Sequence, residues 1–485
     1  MRLRISLCLL LVLSAPSAPV RAAEDSAGYL AIVQKFADTL LEKGRDRFGP
    51  KQTALWASVI HVETYEVPRS AKQVPTVPGV REGDRAVGGC NLYLDTPTLH
   101  VFRVLSALRK EPKYEQAVRD YLRDYLANCQ SPKTGLLAWG EHLYYDLYED
   151  RVVTERTSHE LLGSTPPWGL LWQVDPAATA RAIAGLRYHF RAADPAAEGW
   201  LFNRHAKWAE PAYTPGDGQP WIKHSALYAH AFSFLYAKAG DPQWRKYAEG
   251  SGELYWNHRN PQTNLTESCI GDRRRTSRYA SMAGTALLSY YLLKAHHADA
   301  TNQAARDHAL AMLKAFGRHA WESEKKRYHE RLTVDGAAVR GPEEMNPFTF
   351  AYGGGSTVLL LGRAAAYAAR TEQDAECREI AVRAAAVVSA SPIPEALIPE
   401  SAGYAIHLYL DLYDLTKDPS YLTEARRTAD VSVERLWAGG LFRRIAGDKY
   451  YESKLGPGEL ASALLRLAIR LDRSRQDPGV YDWSF

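Results

Sequence analysis

Apolar positions recur at helical spacing along most of the chain. Tyr114, Val118, Tyr121 and Tyr125 form one stripe; Ala305, Ala309, Met312 and Phe316 form another. Leu460, Leu464, Leu467 and Leu471 form a third. Steps of three, four and seven residues place such side chains on one face of a helix. Four acidic–proline pairs punctuate the pattern: Glu111-Pro112, Asp175-Pro176, Asp241-Pro242 and Asp418-Pro419. An acidic side chain can cap the free amides of a first turn, and proline there has a suitable φ and no amide to satisfy. The first three pairs lie 64 and 66 residues apart. Closely before such a pair runs another helical stretch, as at 96–108 or 224–238. The predicted unit is therefore helix, short turn, helix, longer connection, repeated about six or seven times.

Hairpins that each expose an apolar face must stack to bury it. The closed solution is an all-α (α/α) toroid, complete or partly open; an open solenoid is the second choice. Strand signals are thin and confined to connections such as 441–451, and 68–78 reads as a surface loop. No low-complexity linker divides the chain, so one domain over 23–485 is expected. In such a toroid the longer connections emerge at one rim, which makes that rim the place to look for chemistry.

Composition narrows the setting. Arg2 and Arg4 precede an apolar run at 5–13 that is too short to span a bilayer, and Val20-Arg21-Ala22 offers a small-residue cleavage site. Residues 1–22 are read as a signal peptide, which predicts a secreted or periplasmic protein with no membrane insertion. Without Arg2, Arg4 and Arg21, the net charge falls from +4 to about +1. That near-neutral balance argues against a nucleic-acid partner. Cys90, Cys129, Cys269 and Cys377 match no zinc spacing and are expected as buried thiols or as one or two disulfides.

Against this frame three short segments carry metal-type chemistry: Gly140-Glu141-His142, His159-Glu160-Leu161 and Asn203-Arg204-His205. Two imidazoles and a carboxylate suit a divalent cation with open coordination positions. An arginine beside the last ligand suits an acidic substrate, since guanidinium and metal both offset carboxylate charge. Taken singly, each residue has an ordinary explanation. His142 is more often a structural loop histidine, and Arg204 could pair on the surface. Glu160, expected at a helix start, would be favoured there by the helix dipole. Their shared rim is what groups them.

Further basic and aromatic residues flank the group. Lys207 and Lys223 could add positive field, and Lys223 is an alternative base because buried lysine shifts its pKa readily. Arg273-Arg274-Arg275 with Arg278 and Tyr279 could bind acidic sugar units, or could be a solvated charge run. Trp168, Trp208, Trp221 and Trp256 are candidate stacking platforms or core residues. The substrate-binding set is taken as Lys223, Arg275, Arg278, Tyr279 and Trp208.

In the order and approximate spacing of His142, Glu160 and the Arg204-His205 pair, the chain resembles the periplasmic pectate lyases of polysaccharide lyase family 2. That resemblance implies an incomplete (α/α) toroid. It implies that His142, Glu160 and His205 hold a divalent transition metal such as manganese, with Arg204 as the base. The activity implied is β-elimination in an acidic oligo- or polysaccharide, with pectate the first choice. Two alternatives stand beside it. One is a metal-independent toroid glycoside hydrolase using carboxylates such as Glu141, Asp146 and Glu160. The other is a non-catalytic sugar-binding toroid.

Overall fold

The computed structural model describes residues 18–153, 158–213, 219–270, 278–339, 346–351, 354–355, 357–472 and 474–483. The first seventeen residues of the expected signal peptide and the Arg273-Arg274-Arg275 run lie outside these. Fourteen α-helices fall within the described residues: α1 (Ala18–Thr39), α2 (Leu92–Arg109), α3 (Pro112–Cys129), α4 (Trp168–Val174), α5 (Pro176–Gly185), α6 (Ile222–Ala239) and α7 (Pro242–Asn257). They continue with α8 (Met282–Ala298), α9 (Gln303–His319), α10 (Thr357–Glu372), α11 (Ala375–Ala390), α12 (Pro399–Thr416), α13 (Pro419–Leu436) and α14 (Pro457–Leu471).

The acidic–proline pairs open α3, α5, α7 and α13 as the sequence predicts. Asp175, Asp241 and Asp418 cap with their side chains, accepting from the amides of Ala178, Gln243 and Ser420. Glu111 makes no side-chain cap. Its extra methylene moves the carboxylate away from the first-turn amides that an aspartate reaches.

Alternate helices contact one another in a ring. Helix α6 packs on α8, α8 on α10, α10 on α12, α12 on α14, and α14 returns to α2. Each ring helix leans on an outer partner: α2 on α3, α6 on α7, α8 on α9, α10 on α11, α12 on α13, and α14 on α1. The short pair α4 and α5 fills the remaining sector. This is the (α/α) toroid. Ring helices are buried nearly all round, as in α8 from Gly284 to Leu293, whereas the outer α9 buries mainly the predicted stripe of Ala305, Ala309, Met312 and Phe316. Position in the ring therefore decides how wide the apolar face must be.

The strands are all two or three residues long and lie in the connections. Leu441–Phe442 and Tyr450–Glu452 fall in the connection where the sequence predicts them. Cys90, Cys129, Cys269 and Cys377 are buried free thiols, so the disulfide option is not realised.

The C-terminal tail closes one end of the ring. Tyr481 stacks on His100 of α2 at 4.0 Å, and Arg363 of α10 donates to the Trp483 carbonyl at 3.1 Å. Lys294 of α8 and Arg370 of α10 hold Asp482 at 3.2 and 3.0 Å. Between this plug and the first turns of the ring helices lies a cavity of about 790 Å³. Tyr93, Trp221, Lys223, Glu400 and Tyr404 are among the residues that line it.

Candidate metal centre

The three metal-type segments meet at the rim where the ring helices begin. Helix α2 is capped by Asn91, whose amide group also donates to the carbonyls of Gly140 and Leu143 at 2.8 and 3.2 Å. One side chain thus ends a helix and fixes the loop that carries His142. Gly140 has φ +98°, and a Cβ there would sit 2.5 Å from the Glu160 carbonyl oxygen. Glycine is required twice over, for the backbone angle and for the close approach.

Glu160 is not at a helix start, contrary to expectation. It follows a two-residue strand, Ser158–His159, and α4 begins only at Trp168. The strand pairs antiparallel with Ala206–Lys207. This register, rather than a helix dipole, sets Glu160 beside His205. Behind the pair lies a buried histidine relay. Nδ1 of His189 is 2.9 Å from the Asn203 carbonyl, a pure acceptor, so it carries the proton and Nε2 accepts. Nδ1 of His159, 2.7 Å from that Nε2, must then donate. Burial lowers both rings, His189 to about 3, so the relay is neutral. Asn203 also accepts from the His205 amide at 3.0 Å, which fixes the turn bearing Arg204 and His205.

The donor atoms converge. His142 Nε2 and His205 Nε2 lie 4.0 and 3.1 Å from Glu160 Oε2. One donor atom from each residue fits within 4.8 Å of the others. The other carboxylate oxygen, Oε1, takes a hydrogen bond from Nε2 of His224 at 3.0 Å. Arg204 Nε is 3.6 Å from Oε1 and 3.3 Å from His205 Nε2, and its guanidinium lies 5.6 Å from the Trp221 ring centre.

The protonation states follow from burial and contact. Burial alone would raise the Glu160 carboxyl, but the hydrogen bonds from His205 and His224 outweigh it and hold the group well below the usual carboxylate range. Burial lowers His142 against the pull of Glu160, and lowers His224 to about 4 against the same carboxylate. A cation needs an ionised Glu160 and neutral imidazoles, and to bind one His205 would move its proton from Nε2, where it faces Glu160, to Nδ1. A separation near 3 Å between two donors matches ligands about 2.1 Å from one ion, while the 4.0 Å pair needs a small inward move of His142. The residues present fit a divalent transition metal.

The other predicted residues divide. Lys223, in the first turn of α6, lines the cavity, and burial lowers its pKa, with Glu160 opposing and Lys454 and Arg204 reinforcing. Tyr279 also lines the cavity, under the Arg331 guanidinium at 4.6 Å. Arg278 is exposed and Trp208 packs against the core; neither is among the cavity lining. The Trp208 carbonyl accepts from the Thr134 hydroxyl at 2.6 Å, which ties this segment to the loop after α3. Arg275 lies outside the described residues. Lys207 is spent on Glu210 at 2.5 Å. Of the stacking candidates, Trp168 and Trp221 reach the cavity, and Trp256 instead stacks on His308 at 4.1 Å.

The carboxylates considered for hydrolysis are occupied elsewhere. Glu141 pairs with Lys454 and Arg81 at 2.8 and 3.1 Å, and Asp146 accepts the turn amides of Tyr148 and Glu149. Sequence reasoning passed over His224, Glu400 and Tyr93. His224 had a signal, a histidine in the first turn of a ring helix beside a lysine already singled out. Glu400 had only the generic mark of an acid after a helix-opening proline.

Known proteins place this arrangement in context. The family model described as periplasmic pectate lyase matches residues 83–277, the span that contains His142, Glu160, Arg204, His205 and Lys223. A D-mannose isomerase structure is similar with TM-score 0.51 and 12% identity, covering 94% of this chain and 99% of that one. A GH76 α-mannanase from Bacteroides thetaiotaomicron is similar with TM-score 0.50 and 10% identity, covering 92% and 98%. At such identities the two structures share the toroid fold with this chain, and the fold alone hosts unrelated chemistries.

Proposed function

We propose that this protein is a metal-dependent polysaccharide lyase that cleaves a uronate-containing polymer by β-elimination. The observation that carries this reading is the convergence of His142, Glu160 and His205 donor atoms within 4.8 Å, with Arg204 against the same carboxylate. The match to the periplasmic pectate lyase model over residues 83–277 supports it.

In the reaction, the C5 proton of the uronate is removed and the C4–O bond breaks. The electron pair forms the C4=C5 double bond, and the leaving oxygen takes up a proton. A divalent cation on His142, Glu160 and His205 would supply positive charge to the C6 carboxylate as enolate character develops at C5. His224 holds Glu160 from the far side, so the carboxylate cannot rotate away; such supporting contacts are worth about 10- to 100-fold in metal affinity. Arg204 is the base that the resemblance to the periplasmic pectate lyases implies, and it lies against Glu160 and His205. Lys223 is the second candidate, because burial and the neighbouring Arg204 and Lys454 charges ease its deprotonation. Secretion or periplasmic export accords with the same family and is part of the proposal. Among the described residues, no helix is long and apolar enough to cross a membrane.

A hydrolytic reading has one observation in its favour: Glu400 lines the cavity with its carboxyl raised to about 7, mainly by burial, as a general acid needs. The product separates the two, since only elimination leaves an ultraviolet-absorbing unsaturated uronate. The assigned ligands are tested by His142→Ala, Glu160→Ala and His205→Ala. Each is expected to lose most bound metal by elemental analysis, and stoichiometric metal in all three would remove the site.

A further inference from the structure

The cavity divides into two halves of opposite character. On the side of α6, α8 and α10, Lys223 and Arg331 line it. None of these three helices has an acidic residue in its first turn. Their positive N-terminal ends face the cavity without a carboxylate of their own. Among the described residues, the acids on this side are each held by a neighbour: Glu330 accepts from the Thr357 hydroxyl at 3.0 Å and sits next to Arg331, and Asp482 of the tail pairs with Lys294 and Arg370.

The α12 and α14 side is built the other way. Glu400 and Glu459 stand in the first turns of these helices, and both line the cavity. The dipoles here are already met by the chain's own acids. The nearby cations are taken as well: Arg363 pairs with Glu459 at 2.8 Å, and Lys454 pairs with Glu141 at 2.8 Å. Burial pushes both carboxyls up despite these cations. Tyr93 and Tyr404 add aromatic faces and hydroxyls to the same wall.

A uronate set against α12 and α14 would bring a third carboxylate beside Glu400 and Glu459. A neutral sugar offers hydroxyls that donate to carboxylates and accept from tyrosine, at no charge cost. The cavity of about 790 Å³ has room for several sugar rings. We infer that the α12–α14 half is a subsite for an uncharged sugar, so that the polymer cleaved is one in which uronate and neutral units alternate. This rests on the lyase reading for the identity of the charged unit.

Two oligosaccharides of equal length provide the test, one entirely galacturonate and one alternating galacturonate with rhamnose. Each is titrated calorimetrically into the manganese-supplemented full chain at pH 8, as wild type, Glu400→Gln and Glu459→Gln. The alternating ligand is expected to bind at least about tenfold tighter to wild type, since like charges brought together cost free energy. Glu400→Gln, which keeps size and removes the charge, is expected to shrink that ratio. Glu459→Gln serves as the second variant, since loss of the Arg363 pair can disturb folding. Equal or tighter binding of the all-galacturonate ligand, binding of neither, or a ratio unchanged in both variants would overturn the subsite. Should the ratio hold while neither ligand yields unsaturated product, the lyase reading fails and the subsite stands.

Discussion

Arg204 and Lys223 are separate side chains that bear on one carboxylate, and their roles separate by substitution. Arg204 is 31% exposed, so its loss removes little packing. Arg204→Ala is expected to keep the fold and the bound metal while losing at least about 100-fold in rate on the cleaved polymer, the lower end for a missing base. Arg204→Lys is expected not to rescue, because lysine keeps the charge and loses the planar fork. Activity above roughly a tenth of wild type in Arg204→Ala, a barrier change under about 1.4 kcal/mol, removes Arg204 from the mechanism. If Lys223→Ala is then inactive, Lys223 is the base, and kcat/KM of wild type rises with pH through its lowered pKa. The residues that meet in the candidate metal centre were legible as a group because their chemistry is rare: two imidazoles, a carboxylate and an Arg-His pair on predicted loops. His224 was only half legible: its place beside Lys223 in a predicted first turn is in the sequence, but its contact with Glu160 depends on how the ring closes.

At the scale of elements, the period of the chain is written in proline and aspartate, and the helices follow it closely. The connections are not periodic, and there the sequence says least. Glu160 was expected at a helix start, where the helix dipole favours an acid. It lies instead beside a two-residue strand whose partner is 47 to 49 residues downstream, at Ala206–Lys207. Gly140 shows how tightly these connections are fitted. Gly140→Ala is expected to cost about 1–3 kcal/mol through its left-handed φ and to weaken metal binding more than its stability loss explains, because the Glu160 backbone must retreat. Thermal denaturation with and without manganese measures both effects, and an alanine variant with wild-type metal affinity would contradict the packing described.

Asp95 in α2 illustrates a different cost of a buried ring helix. Burial raises its carboxyl to about 7, against hydrogen bonds from Tyr121 at 2.7 Å and Cys90. Its ordinary value is 3.8. Between about pH 4 and 7 the folded chain keeps a proton that the unfolded chain has released, so this group makes stability fall as pH rises. Glu160 acts oppositely: its depressed pKa contributes stability that is lost as pH falls. Asp95→Asn is therefore expected to hold its Tm better than wild type from pH 5 to 8. Parallel Tm curves for the two proteins would show that Asp95 is ionised in the fold.

For the whole molecule, ring closure does what no local segment can. The α14 contact with α2 brings the first turns of the ring helices around one cavity, and the connections gather His142, Glu160 and His205 with Arg204, which lies against Trp221 of the cavity lining. Convergence of the loops was legible from the hairpin repeat. The plug formed by Tyr481, Asp482 and Trp483 was not, because a short polar–aromatic tail has no period to betray its docking inside the ring. Nor was the division of the cavity, which depends on which helix faces which. The central claim is metal-dependent elimination at this rim. It is tested most directly by following ultraviolet absorbance of unsaturated uronate when the purified chain meets uronate homopolymers and mixed polymers, with manganese, with chelator, and with manganese restored. Product is expected with metal, with loss on chelation and recovery on addition; cleavage that persists in chelator without an unsaturated product would show that neither metal nor elimination is at work here.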